Sequence, residues 1–510
     1  MRIKHGSTQS CEYGFVLACL LMAVWLVPSA ALADQAPPNG QSDPKTAASQ
    51  PSPAAAELNF SGSLRLRAEN WHWFETDAAD SDYTFGAALL RLGLGQRREK
   101  WDWQVEAAAP LLVGLPENAV APAPQGQLGF GGSYYAANGR RDGSVFLKQA
   151  FIALKGVGGQ SSALRVGRFE FVDGLETTPA DPTLATLKRD HIAHRLIGNF
   201  AFTHVGRSFD GLNFAKNTKT SNVTLLAVRP TEGSFQLRGW NELDVDLFYA
   251  AYTRLIAGKQ SQQEFRVLGM HYHDGRGALK TDNRPLPVRQ GDSSNLRLTM
   301  LGGHYLNSSK LGPGKIDALF WGVGQFGNWG LLKHRASAVA IESGYQFPIR
   351  FTPWLRAGYF RGSGDGNTAD DRHHTFFQVL PTPRVYARFP FFNLMNNEDL
   401  FVQLRLKLHK RLSLRSDVRY LRLSNPGDLW YTGGGAFQQT TFGYAGRPTG
   451  SKKELGELLD LSLDYNLTRN TILGLYASHV RGGRVAANVY PQNGPHPGAN
   501  LFYLELTQRF

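Results

Sequence analysis

Hydrophobic residues recur at every second position along most of this chain, and residues 400–424 carry the pattern most clearly. One face of that stretch is mainly leucine and valine, and the other face holds Gln403, Arg405, Lys407, Arg415, Asp417 and Arg419. An amphipathic helix repeats its apolar residues every three or four positions, so a period of two predicts strands. A polar break at 409–411 divides the stretch into two strands joined by a tight turn.

The same alternation continues from residue 58 to the C-terminus and predicts about 18 strands. Most of them are near the ~10 residues that a tilted strand needs to cross an outer membrane. The predicted strands are 61–71, 83–97, 101–112, 145–154, 162–171, 208–216, 221–229, 242–254, 263–273, 295–305, 315–327, 334–346, 353–361, 400–409, 411–424, 454–467, 470–481 and 500–510.

The connections between these strands alternate between long and short. The long ones include 113–144, 172–207, 274–294, 362–399, 425–453 and 482–499, and the short ones include 98–100, 155–161, 217–220, 409–411 and 467–470. Long loops outside and short turns inside are the asymmetry of bacterial outer-membrane barrels, whereas a soluble β-sandwich has no reason to alternate its loops. The sequence therefore predicts an all-β fold, a transmembrane antiparallel β-barrel over residues 58–510.

The N-terminus has the order of a secretory signal peptide. Arg2 and Lys4 precede a short apolar run from about residue 15 to residue 26, and small residues lead up to Ala33. This run is too short to span a bilayer comfortably, and the small residues form an A-x-A cleavage site. Residues 1–33 are therefore predicted to be a cleaved signal peptide.

Residues 34–57 are rich in proline, alanine, serine and glutamine, and they are predicted to be a flexible linker. Both cysteines, Cys11 and Cys19, lie in the signal segment. The exported chain would therefore carry no disulfide, no thiol nucleophile and no cysteine metal site.

The chain is basic, with a net charge of +13, or +12 once the signal segment is removed. A basic balance favours anionic partners, but export argues against nucleic acid, and no basic motif with interleaved aromatic residues occurs. The last strand ends on Phe510, and a terminal aromatic residue on an alternating strand resembles the signal that the barrel assembly machinery reads. That machinery, outer-membrane lipid, lipopolysaccharide and an anionic solute are the predicted partners.

Alternation also predicts which charged side chains point into the barrel. With leucines facing lipid, the inner face mixes bases and acids, including Arg65, Arg67, Glu69, Arg91, Glu106, Arg165, Arg405, Arg415, Asp417, Asp460 and Glu505. These side chains can pair across strands and stiffen the wall, or unpaired arginines can offer forked donors to the carboxylates of a solute. A cylinder of about 18 strands is too wide for its own side chains to fill, which leaves a channel unless loops plug it.

Two pairs of motifs carry a resemblance to a known family. KQAFIALKG at 148–156 is followed by LRVGRFEFVDG at 164–174, and WLRAGYFRGSGDGN at 354–367 leads into PRVYARFPFFNLMNNEDLFVQL at 383–404. In these motifs the chain resembles the alginate export family of outer-membrane proteins. The resemblance implies an 18-stranded monomeric barrel whose arginine-rich lumen passes an anionic uronate polymer.

The resemblance also implies an electropositive passage formed by Arg91, Lys148, Arg165, Arg168, Arg361 and Arg388. Alternation supports Arg91 and Arg165 and adds Arg405 and Arg415. Arg168 needs a local bulge at Gly167 to point inward. These eight cations are the predicted pore lining.

Two features depart from the alginate-secreting member of that family. Its long periplasmic loop between the third-last and second-last strands is replaced here by the turn YNLTRN at 465–470. The next strand carries arginines in that member, whereas here it reads TILGLYASHV. An export-family barrel that serves another anionic or sugar-like solute therefore fits the chain as well as polymer secretion does.

Enzyme and metal motifs are missing from the sequence. The histidines are not accompanied by a nucleophile elbow, and His271 and His273 lie on one strand face with no third ligand in a motif. We therefore expect a protein that is not an enzyme, with no catalytic residue, no metal and no cofactor.

Two functions are predicted as alternatives. The first is a channel in the outer membrane of a Gram-negative bacterium that passes anionic oligo- or polysaccharide, or a related anionic solute. The second is a plugged barrel that acts as a structural or adhesive scaffold through its long extracellular loops.

Overall fold

Eighteen antiparallel strands form one closed barrel in the computed structural model, which describes residues 57–510. The first nine wall strands are β1 Leu58–His72, β2 Asp82–Arg97, β3 Trp101–Val113, β4 Phe146–Lys155, β5 Ser162–Phe169, β6 Phe209–Asn217, β7 Ser221–Pro230, β8 Val245–Ala257 and β9 Ser261–Asp274. The other nine are β10 Leu296–Leu311, β11 Gly314–Trp329, β12 Leu332–Gln346, β13 Trp354–Gly362, β15 Asn397–His409, β16 Leu412–Leu423, β19 Glu454–Asn466, β20 Thr471–Gly482 and β21 Gly498–Arg509. Each wall strand pairs with the next one along the chain, and β21 pairs with β1 to close the cylinder.

The loops carry the remaining elements. The strand β14 Arg372–His373 pairs in parallel with β12, and β17 Trp430–Gly433 pairs with β18 Tyr444–Arg447 in a separate two-stranded ladder. The helical segments are Gly129–Asn138, Pro182–Leu187, Lys188–Ile192, Leu286–Gly291, Pro383–Val385, Arg484–Val489 and Pro491–Asn493. Within residues 57–510, no helix is both long enough and apolar enough to cross a membrane.

The all-β barrel predicted from alternation is confirmed, and every predicted strand has a counterpart in the wall. The largest difference at a strand end is in β10, which runs to Leu311 rather than to residue 305. The predicted signal peptide and nearly all of the predicted linker lie in residues 1–56, outside the described part of the chain.

The two faces of each strand are sorted as the alternation predicted. In the pair β15 and β16, Leu400 is 55% exposed and Val418 is 56% exposed on the outer face, whereas Asp417 on the inner face is 0% exposed. A lysine or arginine on the lipid face near the bilayer midplane would cost about 2–4 kcal/mol, so the outer face selects aliphatic residues.

The connections at the two ends of the barrel differ in length. One end carries the long loops, among them 114–145, 170–208, 363–396 and 424–453, and the other end carries only short turns. The long-loop end has one tight connection, Gly330 and Leu331 between β11 and β12. Both Leu58 and Phe510 lie at the short-turn end, which is the periplasmic end in barrels of this kind.

The C-terminal residue takes part in closing the barrel. The Phe510 amide donates to the Gly62 carbonyl at 3.0 Å, and the Gly62 amide donates back to the Phe510 carbonyl at 2.8 Å. The rings of Phe60 and Phe510 stack with centroids 6.4 Å apart. On the inner side of the same seam, Arg67 on β1 pairs with Glu505 on β21.

Deleting Phe510 is expected to lower the yield of folded barrel, because it removes two backbone hydrogen bonds and the stacked ring pair from the seam. The measurement is the heat-modifiable shift on denaturing gels after refolding into detergent. Leu467→Ala, in an exposed turn at the same end, serves as the control. Equal folded fractions for the two variants would contradict this role of the seam.

The long loops fold back into the barrel and supply much of its apolar core. In the loop 363–396, the rings of five phenylalanines are at most 1% exposed, namely Phe376, Phe377, Phe389, Phe391 and Phe392. In a bore lined only by strands, these rings would be exposed to water. Because they are buried, the loops must fill and narrow the interior near the long-loop end of the barrel.

Candidate functional site

Residues 170–208, called the crossing segment below, run through the interior of the barrel. The wall strands that the segment contacts include β1 and β9, which lie on opposite sides of the cylinder. Its contacts with inner side chains include the Ala201 carbonyl with Arg65 on β1, Glu170 with Arg91 on β2, Lys188 with Glu264 on β9, His191 with Glu342 on β12, and Asp190 with Arg405 on β15.

A capped helix orients the charged part of the crossing segment. The Asp181 side chain accepts hydrogen bonds from the amides of Thr183 at 2.9 Å and Leu184 at 3.0 Å, and proline at the first helical position fits this start. The helix continues directly into the π-helical turn Lys188–Ile192. This turn carries Lys188, Asp190 and His191, which face three different strands of the wall.

Glu342 on β12 is a buried inner carboxylate with three side-chain donors in contact. It accepts from Arg356 at 2.9 Å, from Arg195 at 3.0 Å and from His191 Nδ1 at 2.7 Å. Arg356 also pairs with Asp317 on β11. The crossing segment is thus held to the wall by buried, charge-assisted hydrogen bonds, which are about twice as strong as neutral ones.

Burial lowers the pKa of His191 to about 4, although the nearby Glu342 carboxylate opposes that shift. His191 is therefore neutral at pH 7 and donates its Nδ1 proton to Glu342. The crossing segment therefore contacts the wall through an uncharged histidine. Protonation of this buried histidine at low pH would weaken the contact, so the docking of the segment is sensitive to acid.

Six of the eight predicted lining residues lie inside the barrel. Arg91, Arg165, Arg405 and Arg415 point inward from their strands as alternation requires, and Arg388 reaches Ser462 from the loop 363–396. Lys148 points inward because the register of β3 against β4 shifts between Glu106 and Ala107, which leaves Lys148 as the extra residue of a bulge.

Arg168 and Arg361 lie on the outer face of the wall rather than in the interior. The register of β5 runs through Gly167 without a shift, so Arg168 shares the face of exposed Val166 and pairs with Asp210 at 2.6 Å. Arg361 is 55% exposed and lies 3.6 Å from Glu398 at the loop end of β13. Only the family resemblance placed Arg168 and Arg361 in the electropositive passage. The alternation of their own strands puts both side chains on the outer face instead.

Most inner cations are paired with acids of the wall or of the crossing segment. Arg91 donates to Glu106 at 2.6 Å and to Glu170 at 2.7 Å, and Lys148 lies 3.5 Å from Glu170. Arg415 pairs with Asp417 at 2.8 Å, and Arg405 pairs with Asp190. Each of these four cations has a carboxylate in contact. They therefore fit the first of the two interpretations of the inner charges, in which bases and acids pair with each other and stiffen the wall.

A smaller set of inner arginines makes no ion pair within residues 57–510: Arg165, Arg207, Arg384, Arg388 and Arg447. Arg165 stacks over Phe151 at 4.5 Å, and Arg384 stacks over Phe202 at 4.3 Å and Tyr476 at 4.4 Å. Burial lowers the pKa of Arg207 to about 9, and its guanidinium donates to the Gly435 carbonyl at 2.7 Å. These side chains hold positive charge that no carboxylate of the described chain offsets by direct contact.

Sequence reasoning missed Arg356, Arg207 and Arg384 as inner cations. The predicted strand 353–361 already put Arg356 on the face opposite Arg361, so alternation alone was sufficient to find it. Arg207 and Arg384 lie in loops, where no periodicity indicates which way a side chain points.

A cavity of about 350 Å³ lies among the long loops, and Phe200 and Phe202 of the crossing segment form part of its wall. Its wall includes Arg384, Arg447 and a group of aromatic rings. Residues Gln127, Ala136 and Ala445 on this wall are exposed, so the cavity opens to solvent at the long-loop end.

Within residues 57–510, no group of three or more histidine, cysteine, aspartate or glutamate side chains is arranged to hold an ion. His271 contacts Thr299 at 3.1 Å, and His273 contacts Asp246 at 3.3 Å, so each has a partner of its own.

Solved structures of bacterial outer-membrane proteins share this fold at low sequence identity. OccK9 (OpdG) of Pseudomonas aeruginosa matches with a TM-score of 0.54 at 11% identity over 89% of this chain and 99% of its own. The outer membrane protein OpdK of the same organism has a TM-score of 0.51 at 11% identity over 89% and 99%. OccK2 (OpdF) of P. aeruginosa, solved in complex with glucuronate, has a TM-score of 0.51 at 10% identity over 89% and 98%.

The sequence itself identifies the family. No curated protein matches the chain. The family model described as alginate export, however, matches residues 57–499, which is most of the chain. Family and fold are those of channels in the outer membrane of Gram-negative bacteria, and the chain belongs to the alginate export family.

Proposed function

We propose that this outer-membrane channel conducts anionic solutes, and in particular acidic sugars of the uronate type or related organic anions. The observation that carries the proposal is the set of inner arginines without a carboxylate partner, of which Arg165, Arg384 and Arg388 are examples. A guanidinium binds a carboxylate through two parallel hydrogen bonds, so these side chains suit an acidic solute. Several weak contacts in series allow passage, whereas one tight site would hold the solute.

The relatives support the same chemistry. The family is named for the export of alginate, and the structurally similar OccK2 was solved with glucuronate. The crossing segment favours a small solute or short oligomer over a long polymer, because a polymer would have to displace the buried ion pairs of that segment. The short turn between β19 and β20 favours the same solutes, since the alginate-secreting member of the family has a long loop there.

Transport into proteoliposomes tests the proposal. Labelled glucuronate is expected to enter faster than glucose, which has a similar size and no charge. The variant Arg165→Gln with Arg388→Gln is expected to reduce this preference at least twofold, because it removes two inner charges that make no ion pair. The control is Arg168→Gln with Arg361→Gln, which removes two charges from the outer face. Equal entry of both solutes into the wild type would contradict the proposal.

Acid is expected to loosen the crossing segment and raise the conductance of the pore. The pKa of His191 falls from its usual 6.5 to about 4 in the docked state, so the undocked state takes up the proton more readily. Docking is then fully stable above about pH 6.5 and weakens as the pH falls towards 4.

Single-channel conductance between pH 7 and pH 4 measures this effect. The rise at low pH should be smaller in His191→Gln, whereas His271→Gln, an exposed histidine on the outer face, should keep it. A conductance that stays constant over this range in the wild type would show that the docked histidine does not control the opening.

A plugged scaffold is the second candidate function, and the buried loop rings favour it. The five phenylalanines of loop 363–396 fill interior space that an open pore would leave to water. Single-channel conductance at the background level, together with a normally folded barrel, would favour the scaffold over the channel.

The remaining features of the proposal concern export and assembly. Residues 1–33 serve as a cleaved signal peptide, and residues 34–57 serve as a linker ahead of the barrel. The protein acts as a monomer that the barrel assembly machinery inserts beside lipopolysaccharide. It acts by transport and not as an enzyme, because its inner charged side chains serve to form ion pairs and to contact the solute.

A further inference from the structure

The cavity of about 350 Å³ is built entirely by loops and lies on the path into the barrel from the long-loop end. Six loop segments form its wall: Trp73 just after β1, the helix Gly129–Asn138, residues 200–202 of the crossing segment, the loop around Phe235, residues 382–390, and the ladder of β17 and β18 with its connecting turn. Its volume falls within the roughly 300–1,000 Å³ of small-molecule sites.

The wall is mainly aromatic on one side. The ring of Phe130 lies 5.5 Å from that of Phe202 and 5.1 Å from that of Phe235, and Phe200 lies 5.8 Å from Phe235. These four rings form one continuous surface in tilted and edge-on contacts. A flat apolar ring is the chemical group that packs best on such a surface.

Two arginines supply charge at the same cavity. Arg384 is 7% exposed, and none of its three guanidinium nitrogens has a hydrogen-bond partner within residues 57–510. Arg447 is 2% exposed, and its donors in the described part of the chain reach only the uncharged Thr432 and Tyr490. A buried, charged donor without a hydrogen-bond partner is costly, and stacking on Phe202 and Tyr476 offsets only part of that cost, so a carboxylate beside Arg384 would relieve the rest.

The hydroxyl groups on the wall are already engaged within the protein. Ser133 donates to the Gly129 carbonyl at 3.0 Å, and Thr382 accepts from the Phe200 amide at 3.0 Å. Thr432 accepts from Arg447 at 3.1 Å, and Thr441 accepts from the Gly443 amide at 3.0 Å. A solute rich in hydroxyls would find mainly the side-chain amides of Gln127 and Gln438 here, whereas a ring with one carboxylate needs only the arginines and the aromatic surface.

We infer that this loop cavity is a capture site for a small carboxylate that bears one flat apolar ring, such as an aromatic acid. The inference rests on the proposed anion channel and narrows its solute class. The ring packs on the surface of Phe130, Phe202 and Phe235, and the carboxylate is held by Arg384 with Arg447 nearby. Because the cavity opens at the long-loop end, the site loads from outside the cell.

Calorimetric titration of the full barrel in detergent tests the site with three probes: benzoate, benzamide and glucuronate. Benzoate is expected to bind saturably, benzamide at least tenfold more weakly because it keeps the ring and lacks the charge, and glucuronate more weakly than benzoate. Arg384→Gln should weaken benzoate binding at least tenfold, as expected for a charge-assisted hydrogen bond. Arg361→Gln, on the outer face, should leave it unchanged.

A second variant keeps the test informative where Arg384→Gln fails to fold. Ala137→Trp fills the cavity while leaving both arginines in place, and it should abolish benzoate binding. Tighter binding of glucuronate than of benzoate would overturn the assignment of an apolar ring. No saturable binding of benzoate by a folded, anion-selective wild-type barrel would overturn the capture site and leave the proposed channel standing, whereas cation selectivity would overturn the channel itself.

Discussion

Replacing Arg356 with methionine will lower the free energy of unfolding by about 3–5 kcal/mol, the cost of breaking a buried ion pair from one side. Arg356 is 0% exposed and bridges Asp317 and Glu342. Glu342 would keep His191 and Arg195 as donors, but Asp317 would keep only the Trp354 indole N–H at 2.7 Å. The variant therefore leaves a buried carboxylate without a cation.

The matched control lies on the same strand. Arg361→Met removes the same side chain five residues further along β13, where it is 55% exposed and faces outward. An exposed pair contributes about 0–1 kcal/mol, so this variant should unfold nearly like the wild type. Urea unfolding of the refolded barrel measures both, and equal losses for the two variants would contradict the assignment of inner and outer faces.

Replacing residues 173–205 with a short glycine-serine linker is expected to raise single-channel conductance severalfold. The strands β5 and β6 are neighbours, and Phe169 pairs with Phe209 at their ends, so a short linker can join them. The excised part contains Lys188, Asp190, His191 and Arg195, which tie the crossing segment to the wall. Its removal takes out the part of the chain that crosses the bore between opposite strands of the wall.

The control for this variant is excision of the helix Leu286–Gly291. That helix also belongs to a long loop at the same end, but it has no buried residue and does not enter the barrel. Conductance should then stay close to that of the wild type. If both excisions change the conductance equally, the crossing segment does not narrow the pore.

The wall of the barrel could be predicted from the sequence because each strand residue meets one of two contrasting environments. Arg405 and Arg415 were assigned correctly to the inner face from alternation alone, since their neighbours Val402 and Val418 face outward. Arg168 and Arg361 were assigned from motifs instead, and the alternation of their own strands indicated the outer face.

The interior of the barrel could not be predicted in the same way, because loop residues have no periodic environment. His373 lies in a long connection where the sequence shows no strand pattern, yet it is buried and stacks on Trp329 at 4.4 Å. The cause is the short parallel pairing of β14 with β12, a contact between residues far apart in sequence. Lys148 turned inward through a bulge, which depends on register and not on composition.

The same limit applies to the crossing segment and the cavity. Their geometry depends on which loop meets which, as in the contact of Arg384 with Phe202, two residues of different loops that are far apart in sequence. The sequence did predict that arginines matter inside the barrel. It could not indicate that the arginines without ion-pair partners would lie largely in loops.

The reversal potential of the wild-type channel in a planar bilayer is the direct test of whether its inner arginines make the bore selective for anions. Under a gradient of potassium chloride, an inner face with unpaired arginines must pass chloride in preference to potassium. We expect a reversal potential with the sign of anion selectivity, and its magnitude should fall as salt screens the inner charges. A reversal potential with the sign of cation selectivity would contradict this expectation.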